Sequence, residues 1–155
     1  MNFAVNRGVT TMELIEVITS KENLNRAYKK VVENKGAGGI DEMTVNELGE
    51  YIRENKDRIV NSIRNRTYMP KPVRRVYIPK SNGKKRPLGI PTVLDRTIQQ
   101  AIAQPISDIY EEIFSEYSYG FRPNRSCKDA IKQALEYLND GCEWVIDIDI
   151  EQFFD

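Results

Sequence analysis

Val73-Arg74-Arg75-Val76-Tyr77-Ile78-Pro79-Lys80-Ser81-Asn82-Gly83-Lys84-Lys85-Arg86-Pro87-Leu88-Gly89-Ile90 holds two short runs of β-forming residues on either side of Ser81-Asn82-Gly83, a turn-forming tripeptide. The pattern predicts a β-hairpin over residues 73–90 with basic residues on both arms and at the tip. Just upstream, Tyr68-Met69-Pro70-Lys71-Pro72 ends any helical pattern, because proline lacks an N–H and drives the preceding residue toward extended geometry. From Arg64 to Arg86 the basic residues are uninterrupted by Asp or Glu, whereas acidic residues gather in 41–57, 108–116 and 140–155. The chain as a whole is neutral, with 23 Lys and Arg against 23 Asp and Glu, so distribution rather than bulk charge carries the signal. A polyanion laid along the basic block exchanges its condensed counterions for fixed charges. A merely solvated basic face has the same composition, and charge alone does not separate the two.

N-terminal to the hairpin the spacing of apolar residues is helical. Residues 11–18 and 22–33 each carry such a stripe, the second through Leu24, Ala27, Tyr28, Val31 and Val32, with Ser20 as cap and Gly36 as stop. Lys35-Gly36-Ala37-Gly38-Gly39-Ile40-Asp41 is a glycine-rich connection without the preceding strand or the Gly-Lys-Ser/Thr ending of a phosphate-cradling loop; it reads as a mobile surface loop. Thr44-Val45-Asn46-Glu47 has capping-box spacing and predicts a short helix to residue 53 or 54, followed by another over 56–64.

Downstream, Thr92 can cap a long core helix reaching about Phe114, with Leu94, Ile98, Ile102, Ile106, Ile109 and Ile113 at helical intervals. Residues 117–125 form a loop dense in aromatic residues and arginine, with Tyr119 and Phe121 read as packing residues. Ser126, with Asp129 three positions on, opens an amphipathic helix through Leu138, and Gly141 ends it. Trp144-Val145-Ile146-Asp147-Ile148-Asp149-Ile150 alternates as a strand does, placing Asp147 and Asp149 on one face and Ile146, Ile148 and Ile150 on the other. Neighbouring carboxylates repel, so a positive partner is expected beside them.

Composition narrows the chemistry. The absence of histidine excludes histidine-based acid–base catalysis, and Cys127 and Cys142 make no metal-ligand pair; they read as structural thiols. No run approaches the roughly 20 apolar residues of a membrane span, and the N-terminus lacks a secretory signal pattern. A soluble, cytoplasmic protein with no membrane partner is the expectation. The fold class expected is α/β of the α+β kind, helix-rich with a basic hairpin and one terminal strand, divided into residues 1–72, 73–125 and 126–155.

Five segments in order resemble the group II intron-encoded reverse transcriptases and maturases. Asn34 to Asp41 is similar to that family's N-terminal extension loop, and Pro72 to Lys80 to its first fingers strand. Lys85-Arg86-Pro87-Leu88-Gly89-Ile90-Pro91-Thr92-Val93-Leu94-Asp95-Arg96 resembles the return into a helix. Tyr119-Gly120-Phe121-Arg122-Pro123 and Asp149-Ile150-Glu151-Gln152-Phe153-Phe154-Asp155 complete the set. The resemblance runs from about Ser20 to the end and implies fingers followed by the start of a palm.

The resemblance implies an RNA-directed DNA polymerase that uses two Mg2+ ions. Asp149, five residues before the aromatic Phe154, takes the place of the catalytic metal-binding aspartate, and the Ile150 carbonyl that of a ligand to the second ion. Magnesium favours such hard oxygen donors. Phe154 corresponds to the residue that collides with a ribose 2′-hydroxyl and so selects deoxynucleotides. Lys80 and Arg86 correspond to residues gripping the incoming triphosphate, as a point charge and a fork respectively. Arg74, Arg75, Lys84, Lys85, Lys35, Gly36, Arg122 and Arg125 are the implied RNA contacts, with the glycine loop as a lid near the template. Implied partners are group II intron RNA, an RNA template with its DNA primer, and dNTPs; homodimer formation stays open.

The family's second carboxylate pair, in a Tyr-x-Asp-Asp hairpin, is absent from the sequence, so these 155 residues alone are expected not to polymerise. Two alternatives stay open beside the polymerase reading: a non-catalytic module that binds intron RNA for splicing, and a retron or CRISPR-associated reverse transcriptase.

Overall fold

A computed structural model describes residues 11–79, 81 and 83–150. Helix α1, Thr11–Thr19, is followed by α2, Lys21–Glu33, and α3, Val45–Arg64. Strands β1, Arg74–Pro79, and β2, Lys85–Ile90, precede α4, Val93–Glu111, and α5, Cys127–Asn139. The mixture of helices with one two-stranded antiparallel sheet is the α/β class that the sequence predicts. Two compact units divide the chain, Met1–Ile109 and Tyr110–Asp155. No helix among the described residues is long and apolar enough to cross a membrane.

Local chemistry accounts for the helix ends. Ser20 Oγ accepts the Asn23 N–H at the start of α2, and Thr44 with Glu47 forms the capping box of α3, whose hydrogen bonds hold the Glu47 carboxyl below its ordinary pKa. Ser126 and Asp129 do the same for α5, where the Asp129 carboxyl is again lowered, first by the Ser126 hydroxyl. At the other end of α5, Gly141 sits at φ +93, and the Cys142 N–H reaches back to the Tyr137 carbonyl, the glycine stop that the sequence predicts.

Some boundaries differ from expectation. Residues 45–64 form one helix rather than two, since Asn55 and Lys56 neither break the backbone pattern nor interrupt its apolar stripe. Helix α2 ends at Glu33 as the sequence predicts, with Asn34 as its cap, but Lys35 rather than Gly36 takes the left-handed region, at φ 46.

The core of the first unit lies where α2, α3 and α4 meet. Val31, Leu48 and Val93 form one buried cluster; Ile59, Ile63 and Ile98 form another, bridged to the first by Leu94. Each fully buried aliphatic side chain contributes about 1.5–3 kcal/mol. The buried stripe of α4 is Val93, Thr97, Ile98, Ala101 and Pro105, rotated from the isoleucine row that the sequence highlights; Ile102 is exposed.

Pro105 lies on that buried face. It stands inside α4 and supplies no N–H to the carbonyl four residues earlier, that of Ala101. The buried Asn23 side chain takes its place, donating to the Ala101 carbonyl at 2.7 Å and to the Ile18 carbonyl at 3.0 Å. Gln104 returns a hydrogen bond to Asn23 Oδ1 at 2.7 Å. The unmade helical bond is thus converted into a tie between α2 and α4.

The second unit is more open. Helix α5 buries none of its residues, and Ile131, Leu135 and Leu138 are exposed. Residues 142–150 belong to no strand, which corrects the expectation of a terminal strand. Alternation makes a segment fit for a sheet, but a strand exists only when a neighbour completes its backbone hydrogen bonds; among the described residues β1 and β2 pair with each other alone. Trp144, Val145, Ile146 and Ile148 are consequently exposed.

The Asn23 tie is testable by urea unfolding. Asn23→Ala leaves buried carbonyls unpaired and is expected to cost about 1–3 kcal/mol. Because Pro105→Ala restores an N–H to the Ala101 carbonyl, the same replacement in that background is expected to cost about 1 kcal/mol less. Equal losses in both backgrounds would sink the coupling.

Candidate nucleic-acid interface

The hairpin register runs from Arg74 opposite Ile90 to Pro79 opposite Lys85, with Ile78 opposite Arg86. Directly paired residues share a face and successive residues alternate. Arg74, Val76, Ile78, Arg86, Leu88 and Ile90 therefore lie on one face, and Arg75, Tyr77, Pro79, Lys85, Pro87 and Gly89 on the other. Arg86 shares its face with the partly buried Arg74, whereas Arg75 and Lys85 are exposed together on the opposite one. The hairpin thus presents two cationic surfaces rather than one continuous patch. Lys84 lies just before β2 and is exposed. Lys80 lies outside the described residues, as does Phe154.

The glycine loop is a packed element, which corrects the expectation of a mobile one. Gly39 is buried against the backbone that leaves the hairpin: a Cβ there would lie 2.6 Å from the Thr92 N and Cα. Gly36 lies against the Arg96 guanidinium, which donates to the Ala37 carbonyl at 2.7 Å. Close backbone approach, rather than flexibility, is what these glycines permit. Lys35 remains exposed at the start of the loop.

Between the loop and the hairpin lies a cluster that the sequence reading passed over. Asp95, buried at 3 % exposure, accepts the Tyr68 hydroxyl at 2.5 Å, the Thr92 hydroxyl at 2.6 Å and the Lys71 backbone N–H at 3.2 Å. Thr92 Oγ1 in turn accepts the Asp95 N–H at 3.0 Å. Burial, and then the bond to Asp95, raises the Tyr68 phenol well above its ordinary pKa, keeping it a donor. Lys71 Nζ also pairs with Asp41 of the glycine loop at 3.1 Å. The signal in the sequence was the Thr92-x-x-Asp95 spacing of a helix cap; its reach to residues 68 and 71 is tertiary.

In the second unit Arg122, expected to contact RNA, is committed internally. Its guanidinium bonds Glu111 at 2.7 Å and the carbonyls of Ser115 and Ser118, and its side chain is 6 % exposed. Phe114 lies under it, 5.2 Å from the guanidinium carbon to the ring centroid. The hydrogen bond from Arg122 holds the Glu111 carboxyl below its ordinary pKa. Arg125 bonds the Glu116 carbonyl and lies over Tyr119. Phe121, expected to pack, is fully exposed with φ 56, an unusual backbone state for an aromatic residue.

Asp147 and Asp149 are exposed, and Asp149 Oδ1 accepts the Ile150 N–H at 3.0 Å. Among the described residues no group of three or more acidic, histidine or cysteine side chains converges on a point. The Asp149 carboxylate and the Ile150 carbonyl are hard oxygens of the kind that suit magnesium.

Comparison with known proteins gives this arrangement a family. The group II intron-encoded protein LtrA of Lactococcus lactis subsp. cremoris is 43% identical over 132 residues, covering 83% of this chain and 21% of that protein. Protein YkfC of Escherichia coli strain K12 is 37% identical over 158 residues, 98% of this chain and 42% of its own length. The putative COX1/OXI3 intron 2 protein of Saccharomyces cerevisiae is 32% identical over 145 residues, 92% of this chain and 16% of that protein. The chain thus spans less than half the length of each of these relatives. Residues 78–155, half of the chain, match the family described as reverse transcriptase (RNA-dependent DNA polymerase). With that match running from the basic hairpin through the Asp149 segment, the chain belongs to the reverse transcriptase family.

Proposed function

We propose that this chain is the fingers and first metal-binding segment of a group II intron-encoded reverse transcriptase, which copies RNA into DNA from dNTPs and assists the splicing of its intron. The observation that carries this reading is the exposed basic hairpin, upstream of the Asp149 segment, in a chain similar to LtrA and to yeast intron proteins.

In this reading Asp149 and the Ile150 carbonyl hold Mg2+, which supplies activation of the primer hydroxyl and stabilisation of charge on the phosphates. Arg86 on β2 offers a planar fork to phosphate oxygens and Lys80 a point charge. Phe154 excludes a ribose 2′-hydroxyl. Arg75, Lys84 and Lys85, with Lys35 and Gly36 of the glycine loop and the partly buried Arg74, contact the RNA backbone. Arg125, over Tyr119, remains in that set; Arg122 does not, because its donors face Glu111 and two carbonyls.

Splicing assistance needs the basic surface but not the carboxylate. In the whole polymerase, Asp149→Ala is expected to reduce cDNA synthesis to background while intron splicing persists; loss of both would point to collapse of the fold. For the chain alone, titration with structured RNA is expected to give a log K against log[salt] slope of roughly −0.7 to −0.9 per neutralised phosphate. Reversing Arg75 and Lys85 to Glu is expected to remove about two phosphates' worth of that slope. An unchanged slope would place the RNA elsewhere.

A further inference from the structure

Almost nothing packs against the hairpin. Among the described residues its side chains are exposed apart from Arg74, Val76 and Ile90, and its strands pair with each other alone. The direction in which it points is therefore set at its two feet. One foot, residues 67–73, enters β1; the other, Pro91 and Thr92, leaves β2. A single buried carboxylate holds both: Asp95 binds Tyr68 and the Lys71 N–H on the entering side and the Thr92 hydroxyl on the leaving side.

The same turn of α4 grips the glycine loop. Arg96 holds the Ala37 carbonyl, Gly39 presses on Thr92, and Asp41 pairs with Lys71. Loop, hairpin feet and helix start thus share one junction. Movement of the hairpin requires breaking charge-assisted bonds to a buried carboxylate.

We propose that Asp95, with Tyr68 and Thr92, is a positioning residue that clamps the hairpin at both feet and fixes its direction relative to the helices and the glycine loop. Asp95 touches no substrate in this scheme; it acts through the residues of the hairpin. The kinetic consequence rests on the polymerase reading above: a hairpin that wanders presents Arg86 to the triphosphate for only part of the time, which weakens nucleotide binding more than it slows the chemical step.

Two measurements separate the clamp from that reading. Nitroxides at Ser81→Cys in the hairpin turn and Asp57→Cys on α3, with Cys127→Ser and Cys142→Ser to leave no other thiol, report the hairpin's direction by pulsed dipolar spectroscopy. The unaltered clamp is expected to give a narrow distance distribution. Tyr68→Phe, Asp95→Asn and Thr92→Val are expected to broaden it, and Thr92→Ser, which keeps the hydroxyl, to leave it narrow. Should Asp95→Asn lose its helical circular dichroism, Tyr68→Phe decides, since it removes one hydroxyl at a half-buried site. Distributions that superimpose on the parent's overturn the proposal. In the whole polymerase, Tyr68→Phe is expected to raise the dNTP KM about tenfold with kcat within about twofold. A broadened distribution with an unchanged KM upholds the clamp and sinks the nucleotide-gripping role of the hairpin.

Discussion

A carboxylate taken out of water costs several kcal/mol unless donors surround it, and Asp95 is the buried carboxylate of the described structure. Its three donors come from both sides of the hairpin, so satisfying one charge determines how two distant stretches of chain meet. The phenol of Tyr68, kept protonated by burial and by the carboxylate itself, is a donor across the physiological range. Apolar packing makes the helices cohere through Leu48, Val93 and Ile98, but packing is non-directional. Direction comes from the polar bonds.

The same logic recurs at Pro105 and at Arg122. A proline inside α4 orphans the Ala101 carbonyl, and Asn23 from another helix satisfies it. An arginine in a loop finds Glu111 and two carbonyls, and so defines the turn after α4. In each case a group that cannot remain unpaired recruits a partner remote in sequence, and the fold is specified where those debts are settled.

The hairpin divides its cations between two faces. Arg86 and Arg74 share one while Arg75 and Lys85 share the other, so like charges are spread over both sides of the ribbon instead of being stacked on one. The glycine loop, packed on Thr92 and held by Arg96, is joined to that hairpin through the junction rather than hanging free beside it.

Patterns with a period or a cap were legible in the sequence: the helical stripes, the two arms of the hairpin, the capping residues Ser20, Thr44 and Ser126, and the glycine stop at Gly141. These depend on neighbours within a few residues, and so did the basic block. Residues 144–150 show the limit of that legibility, because alternation in one segment makes no strand without an edge to pair with. Tertiary structure alone decided which face of α4 is buried, that the glycine loop is packed, that Arg122 is spent internally and that Asp95 ties the hairpin's feet. Each of these depends on groups far apart along the chain meeting, from 11 residues at Arg122 to 78 at Asn23, a requirement that no local pattern encodes.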